Sequence, residues 1–178
     1  MSTAVAIDDV SHYFDEHGFL YRPLKRVGTM VQNLYDDERL RDPTANFDFF
    51  KPILESDPVL RKLLEGYPVT VLEINWPWGK FDEYYCWGRS SPFVFKPSLA
   101  IYVLAPGSKA TCCDRSHKRE VKGLSRHPNG TLPLSNESME PYEKKDIESE
   151  FGGVLCVHPL LGHKIPNGVS KFFTVRKK

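Results

Sequence analysis

Helices ahead of a run of short strands is the order of an α+β protein, and three observations predict that class here. An apolar rhythm of 3.6 residues is confined to the first third of the chain, β-branched and aromatic alternation takes over from Val69, and turn residues cut the rest into short pieces. The strands are therefore expected to stack as a sheet sandwich or a barrel. At 178 residues the chain suits one domain over 1–178, with a mainly helical part in 1–66 and a strand core in 67–178. No repeat and no linker divides it.

In the helical part, Asp8 or Asp9 can cap a short helix whose apolar side is Val10, Tyr13 and Phe14 and whose end is Gly18. Phe19 to Tyr21 reads as a strand closed by Pro23. Val27 to Leu40 has apolar residues at 27, 30, 31, 34 and 35, which predicts a helix with a charged end at Asp36 to Arg39. Phe47, Phe49, Phe50, Ile53 and Leu54 lie among prolines 43, 52 and 58 and read as short helical turns that pack aromatics on a core. Pro58 suits the first turn of a helix over Val59 to Leu64, closed by Gly66.

In the strand part, Val69 to Trp76 alternates as a half-buried strand should, and Pro77 to Lys80 reads as a turn. Phe81 to Trp87 is aromatic and acidic. Phe93 to Leu104 is a further strand interrupted at Pro97, Pro106-Gly107-Ser108 turns the chain, and Lys109 to Cys113 is short and extended. Residues 119–150 are polar, hold a charged run from Glu143 to Glu150, and read as a surface loop insertion with one short helix.

Composition narrows the function. With 40% hydrophobic residues, 26% charged residues and a net charge of +1, the chain has no basic excess to meet a polyanion, so nucleic acid is not an expected partner. Cys86, Cys112, Cys113 and Cys156 lack C-x-x-C spacing, and neighbours Cys112 and Cys113 should point to opposite faces of a strand; reduced, structural thiols are expected. Met1 to Ile7 runs into Asp8-Asp9 with no basic start and no long apolar stretch, which predicts a cytoplasmic protein without a membrane partner.

The stretch from Phe151 to Ser170 draws the chemistry together. A glycine pair opens an apolar run that reaches a proline corner at Pro159, and His163 then leads into Pro166-Asn167-Gly168. This reads as strand, kink, strand, with His163 held at a strand end. Imidazole is a common metal ligand and the usual proton shuttle near neutral pH, so His163 is a candidate for chemistry; the other reading is a hydrogen bond that closes the turn.

Three fragments stand in a familiar order: Tyr13-Phe14-Asp15-Glu16-His17-Gly18-Phe19-Leu20; the strand Ser98 to Ala105 with the Gly107 turn and Ser116-His117-Lys118; and Gly152 to Ser170. Together they resemble the phytanoyl-CoA dioxygenase-like family of iron(II)- and 2-oxoglutarate-dependent oxygenases. The resemblance implies a double-stranded β-helix, a jelly-roll or cupin-like core with N-terminal helices. It also implies two histidines and a carboxylate on one face of an iron, with His163 on the distal histidine position. The other two ligands would come as H-x-D or H-x-E from Tyr84 to Ser91, and no such motif occurs in the chain. Gly153 replaces the aspartate usual after the first glycine, and Lys171 and Arg176 are the cations nearest the place of the 2-oxoglutarate arginine. Ligands from a shifted register would be Asp82, Glu83 or Cys86, with His117 or His158 as a second imidazole; in the family the S-H-K histidine is no ligand, so His117 is expected to hold the fold by a hydrogen bond.

Three functions follow. The leading expectation is a small-molecule enzyme, of the secondary-metabolite kind, on a degenerate dioxygenase-like scaffold, which isomerises, cyclises or dehydrates a largely apolar metabolite by acid/base catalysis. In it His163 works with Asp82 or Glu83, and Trp76, Trp78, Tyr85, Trp87, Arg89, Lys171 and Arg176 bind substrate. No cofactor is then needed. In the second, iron(II) and 2-oxoglutarate bind through replacement ligands. In the third the chain is a ligand-binding or dimerisation module without turnover, and a homodimer is compatible with all three.

Overall fold

The computed structural model describes residues 6–67, 70–78, 81–87, 99–118 and 131–176, with strand residues 70–78, 81 and 176 described by their backbone alone. After a 3-10 turn at Ile7–Asp9, the helices α1 (Val10–His17), α2 (Lys25–Asp36), α3 (Phe47–Ser56) and α4 (Pro58–Glu65) are interrupted by the strand β1 (Phe19–Pro23). The strands β2 (Thr70–Trp78), β3 (Phe81–Cys86), β4 (Leu99–Leu104), β5 (Ser108–Cys113), β6 (Leu132–Leu134), β7 (Lys144–Ser149), β8 (Gly153–Val157), β9 (His163–Asn167) and β10 (Ser170–Arg176) follow, with the short helix α5 (Asn136–Met139) between β6 and β7. Two five-stranded antiparallel sheets result, in the orders β1-β8-β4-β10-β2 and β6-β3-β9-β5-β7. Among the described residues no helix is long and apolar enough to cross a membrane.

Strand alternation distributes the apolar residues over three layers. In the first sheet Leu20, Leu99, Ile101, Val103, Val154, Cys156, Phe173 and Val175 pack against the helices, whose contributions include Val10, Phe14, Val27, Val31, Phe50 and Leu60. Their neighbours Phe19, Tyr21, Tyr102, Leu155 and Phe172 point the other way and meet Tyr85, Cys112, Ile147 and Ile165 of the second sheet. The far face of that second sheet is covered by Leu134 and Met139 over Tyr84, Cys86 and Cys113. Cys112 and Cys113 thus lie on opposite faces, and all four cysteines are free and buried.

Helix ends follow local chemistry. Gly18 stands in the left-handed region at φ 78° and closes α1 by donating its N–H to the Phe14 carbonyl. A Cβ there would also lie 2.3 Å from Nδ1 of His117, so any side chain would have to displace that ring as well as adopt a strained backbone. Asp57 caps α4 through Oδ1, which accepts from the Val59 and Leu60 N–H groups, while Oδ2 accepts from Arg22 of β1 at 2.9 and 3.2 Å.

Several elements differ from expectation. The aromatic turns of 47–54 are one ten-residue helix with Pro52 inside. Proline removes one internal hydrogen bond, and burial of Phe47, Phe50, Ile53 and Leu54 along one face outweighs it. The helix from Val27 begins two residues earlier and stops at Asp36, the first residue of the charged run. The run Glu143 to Glu150, read as loop, holds the strand β7, which pairs with β5 from Ser108↔Ser149 to Cys113↔Lys144. It is an edge strand, where charged side chains are favoured because they deter further pairing. Its one aliphatic residue, Ile147, is buried, while Asp146 accepts from Thr111 at 2.7 Å and Glu148 pairs with Lys109 at 2.9 Å. Pro77 and Trp78 extend β2 and are not part of the turn; β4 spans Leu99–Leu104, and residues 93–98 of the strand expected there lie outside the described residues.

Candidate functional site

β9 lies between β3 and β5, and its first residue, His163, stands opposite Tyr85 on one side and Cys112 on the other. The imidazole is turned into the space between the sheets and is fully buried at 0% exposure. Its Nδ1 lies 2.9 Å from the Leu161 carbonyl, which can only accept, so Nδ1 carries the proton and donates. Nε2 is then a lone pair. The Tyr102 hydroxyl of β4, 2.9 Å away, donates to it.

That assignment settles the rest of the network. With its proton given to His163, the Tyr102 oxygen accepts from Nε1 of Trp87 at 3.0 Å and from the Tyr85 hydroxyl at 3.2 Å. Four polar side chains from both sheets therefore meet at one phenol oxygen within an apolar interior. Ring packing holds them in place: His163 lies 4.4 Å from the Tyr85 ring, and Trp87 stacks on Phe172 at 4.3 Å with 6° between planes. The Trp87 backbone N–H donates to the Pro159 carbonyl, which ties the end of β3 to the segment leading into His163.

Burial disfavours the charged form of each group. It lowers the His163 pKa to about 4, against a smaller opposing effect of the Leu161 carbonyl, so the imidazole is neutral near pH 7. It raises the Tyr102 phenol, although the bonds from Tyr85 and Trp87 work against it. The Cys112 thiol is pushed well up by the same desolvation.

The other expected site residues lie elsewhere. Asp82 is 77% exposed and pairs at 2.8 Å with Lys164, which points to the opposite face of β9 from His163; Glu83 is exposed as well. Neither is brought to the imidazole. A double step in the β3–β9 register between Phe81 and Tyr85 separates these carboxylates from it. Lys171 is buried but on the helical side of its sheet, where its ammonium donates to the Leu40 carbonyl at 3.0 Å. Parity explains this: in β10 Phe172 faces the interior, so Lys171 cannot. Trp76, Trp78 and Arg176 lie on strands described by backbone alone, and Arg89 falls outside the described residues. His117 donates from Nε2 to the Asp15 carbonyl at 3.0 Å, a hydrogen bond that joins the segment after β5 to α1. His158 accepts at Nδ1 from the Leu160 N–H. Tyr102 and Phe172 complete the site and were not singled out from the sequence. Alternation in Ala100-Tyr102-Leu104 shows that these residues share a face, but nothing local shows what lies opposite.

Iron(II) on this kind of scaffold would take two imidazoles and a carboxylate. Among the described residues the interior around His163 presents one imidazole whose lone pair is already engaged, two phenols, an indole and a thiol with a raised pKa. The donor set does not fit iron(II). Among the described residues no group of three or more histidine, cysteine, aspartate or glutamate side chains is placed to hold a metal.

No family model matches the chain, and no curated protein matches it in sequence. Solved structures do. HygX from Streptomyces hygroscopicus with iron bound matches at a TM-score of 0.58 and 17% identity over 98% of this chain and 88% of that one. Apo HygX from the same organism matches at 0.56 and 16% over 96% and 86%. At such identity the likeness is one of fold, and the fold is the α+β, jelly-roll-like architecture shared with HygX.

Proposed function

We propose that the chain is a small-molecule enzyme that works by acid/base chemistry, with no metal at His163, on a largely apolar substrate. The observation that carries this reading is the Tyr102 hydroxyl, held between two donors, Trp87 and Tyr85, and one acceptor, Nε2 of His163. An enol or alcohol oxygen needs the same surroundings: donors for its lone pairs and a base for its proton. His163 is the base, neutral above about pH 4 and fixed in one tautomer by Leu161. Tyr102 orients its Nε2, and Tyr85 and Trp87, which donate to the Tyr102 oxygen, are the donors that an oxygen gaining negative charge takes when it displaces that hydroxyl. The earlier candidates Asp82 and Glu83 have no part in this version, since both are exposed and away from His163. Isomerisation, cyclisation and dehydration all share the proton abstraction that this arrangement favours.

The experiment is exchange of acidic C–H protons into D2O for a panel of small cyclic enones, followed by proton NMR. Exchange above the buffer rate is expected, with a loss of about 10²–10⁴-fold in His163→Gln. Exchange that His163→Gln leaves unchanged removes His163 from the site. The competing reading is the iron- and 2-oxoglutarate-dependent oxygenase, favoured by the iron bound to HygX. Anaerobic iron(II) titration decides it: stoichiometric binding strengthened by 2-oxoglutarate and lost in His163→Ala would replace the acid/base reading.

A further inference from the structure

We infer that Tyr85 and Trp87 stand at the two positions from which a metal site beside His163 would be completed, and that Tyr102 holds their hydrogen bonds in the place of the metal. The inference goes beyond the proposed function and does not rest on turnover. It rests on three placements. Tyr85 is directly opposite His163 in the β3–β9 pairing, so a side chain at 85 reaches across to the imidazole. Trp87 is two residues further on the same face, since Cys86 between them points to the outer layer with Cys113 and Leu134. The pair has the i, i+2 spacing of an H-x-D motif, and both side chains end at the atom that also meets Nε2 of His163.

The chemistry of the substitution is consistent at each position. Tyrosine and tryptophan donate hydrogen bonds where a second histidine and a carboxylate would offer lone pairs. Three lone-pair ligands, His163 and the groups at 85 and 87, would need a cation at their centre. Two donors and one acceptor need an O–H group there, and Tyr102 provides it from the opposite sheet. A metal reaching the native interior would have to take Nε2 from Tyr102 and leave the Tyr102 hydroxyl without its acceptor, a cost set against a single imidazole ligand.

The test restores the ligand types and reads metal binding directly. Cobalt(II) is titrated anaerobically into wild type, the Tyr85→His/Trp87→Asp double variant, and the same variant with His163→Ala, with visible absorption as the signal. The double variant is expected to bind at least about tenfold more tightly than wild type, and the gain should vanish with His163→Ala. Removing the Trp87 ring leaves a hole beside Phe172, so Tyr85→His alone serves as a second variant if the double variant does not melt cooperatively. It should show a smaller gain with the same dependence on His163. A folded variant with no gain, a gain that survives His163→Ala, or His163-dependent cobalt binding by the wild type would each overturn the inference. The first two leave the proposed acid/base role untouched.

Discussion

His163 is a histidine held neutral, and that has a measurable consequence for stability. Its pKa in the folded chain is about 4, below the ordinary 6.5 that it regains on unfolding. Between these values the unfolded state binds the proton and the folded state does not, so stability falls as pH drops through this window and is constant above it. The shift corresponds to about 3 kcal/mol lost by pH 4. Urea unfolding of wild type and His163→Gln at pH 7, 6, 5 and 4 checks this, with a difference between the two curves that changes by most of that amount. A constant difference would mean that the imidazole titrates normally. The sequence alone marked His163 as held at a strand end, and it named Tyr85 and Trp87 among the aromatics of the site. Asp82 and Lys171 also looked eligible, because nearness in sequence and charge say nothing about which face of a strand a residue occupies.

At the scale of elements, Asp57 links the helical layer to the first sheet. One carboxylate oxygen caps α4 and the other accepts from Arg22 in β1. Asp57→Ala removes the cap, at about 0.5–2 kcal/mol, and also leaves a half-buried guanidinium without its partner. Asp57→Asn keeps the cap and loses the charge, so it should recover most of the cap contribution. Thermal melts of both compare the two effects, at roughly 2–4 °C per kcal/mol for a chain of this size. Equal losses would show that the Arg22 contact outweighs the cap. The cap was not read from the sequence, although Pro58 at the first turn was. Strand β7 escaped for a different reason: an edge strand with one aliphatic residue carries the polarity of a loop, and its pairing with β5 is visible only in three dimensions.

Across the whole molecule, the four cysteines report on how closed the two interiors are. All are buried, Cys156 under the helices, Cys112 between the sheets and Cys86 with Cys113 on the outer face of the second sheet, and desolvation raises the thiol pKa of Cys112, of Cys113 to about 11 and of Cys156 to about 12. Thiolates are the reactive form, so none of the four should react with a thiol-specific disulfide dye in the native protein, and all four should react in urea. One thiol reacting fast under native conditions would mark a layer that opens without global unfolding. Cys112 is the informative one, because it faces the same interior as His163.

The sequence by itself determined the class of fold and most element positions. Apolar periodicity, Gly18, Pro58 and the Gly152-Gly153 opening act locally, through backbone conformation and the face each residue buries. It also determined that an H-x-D ligand pair is absent. Only the tertiary structure decided what stands there instead. Tyr102 comes from the first sheet and Tyr85, Trp87 and His163 from the second, so their meeting depends on how two sheets stack. A hydrogen bond between side chains 61 residues apart leaves no periodic trace in the chain.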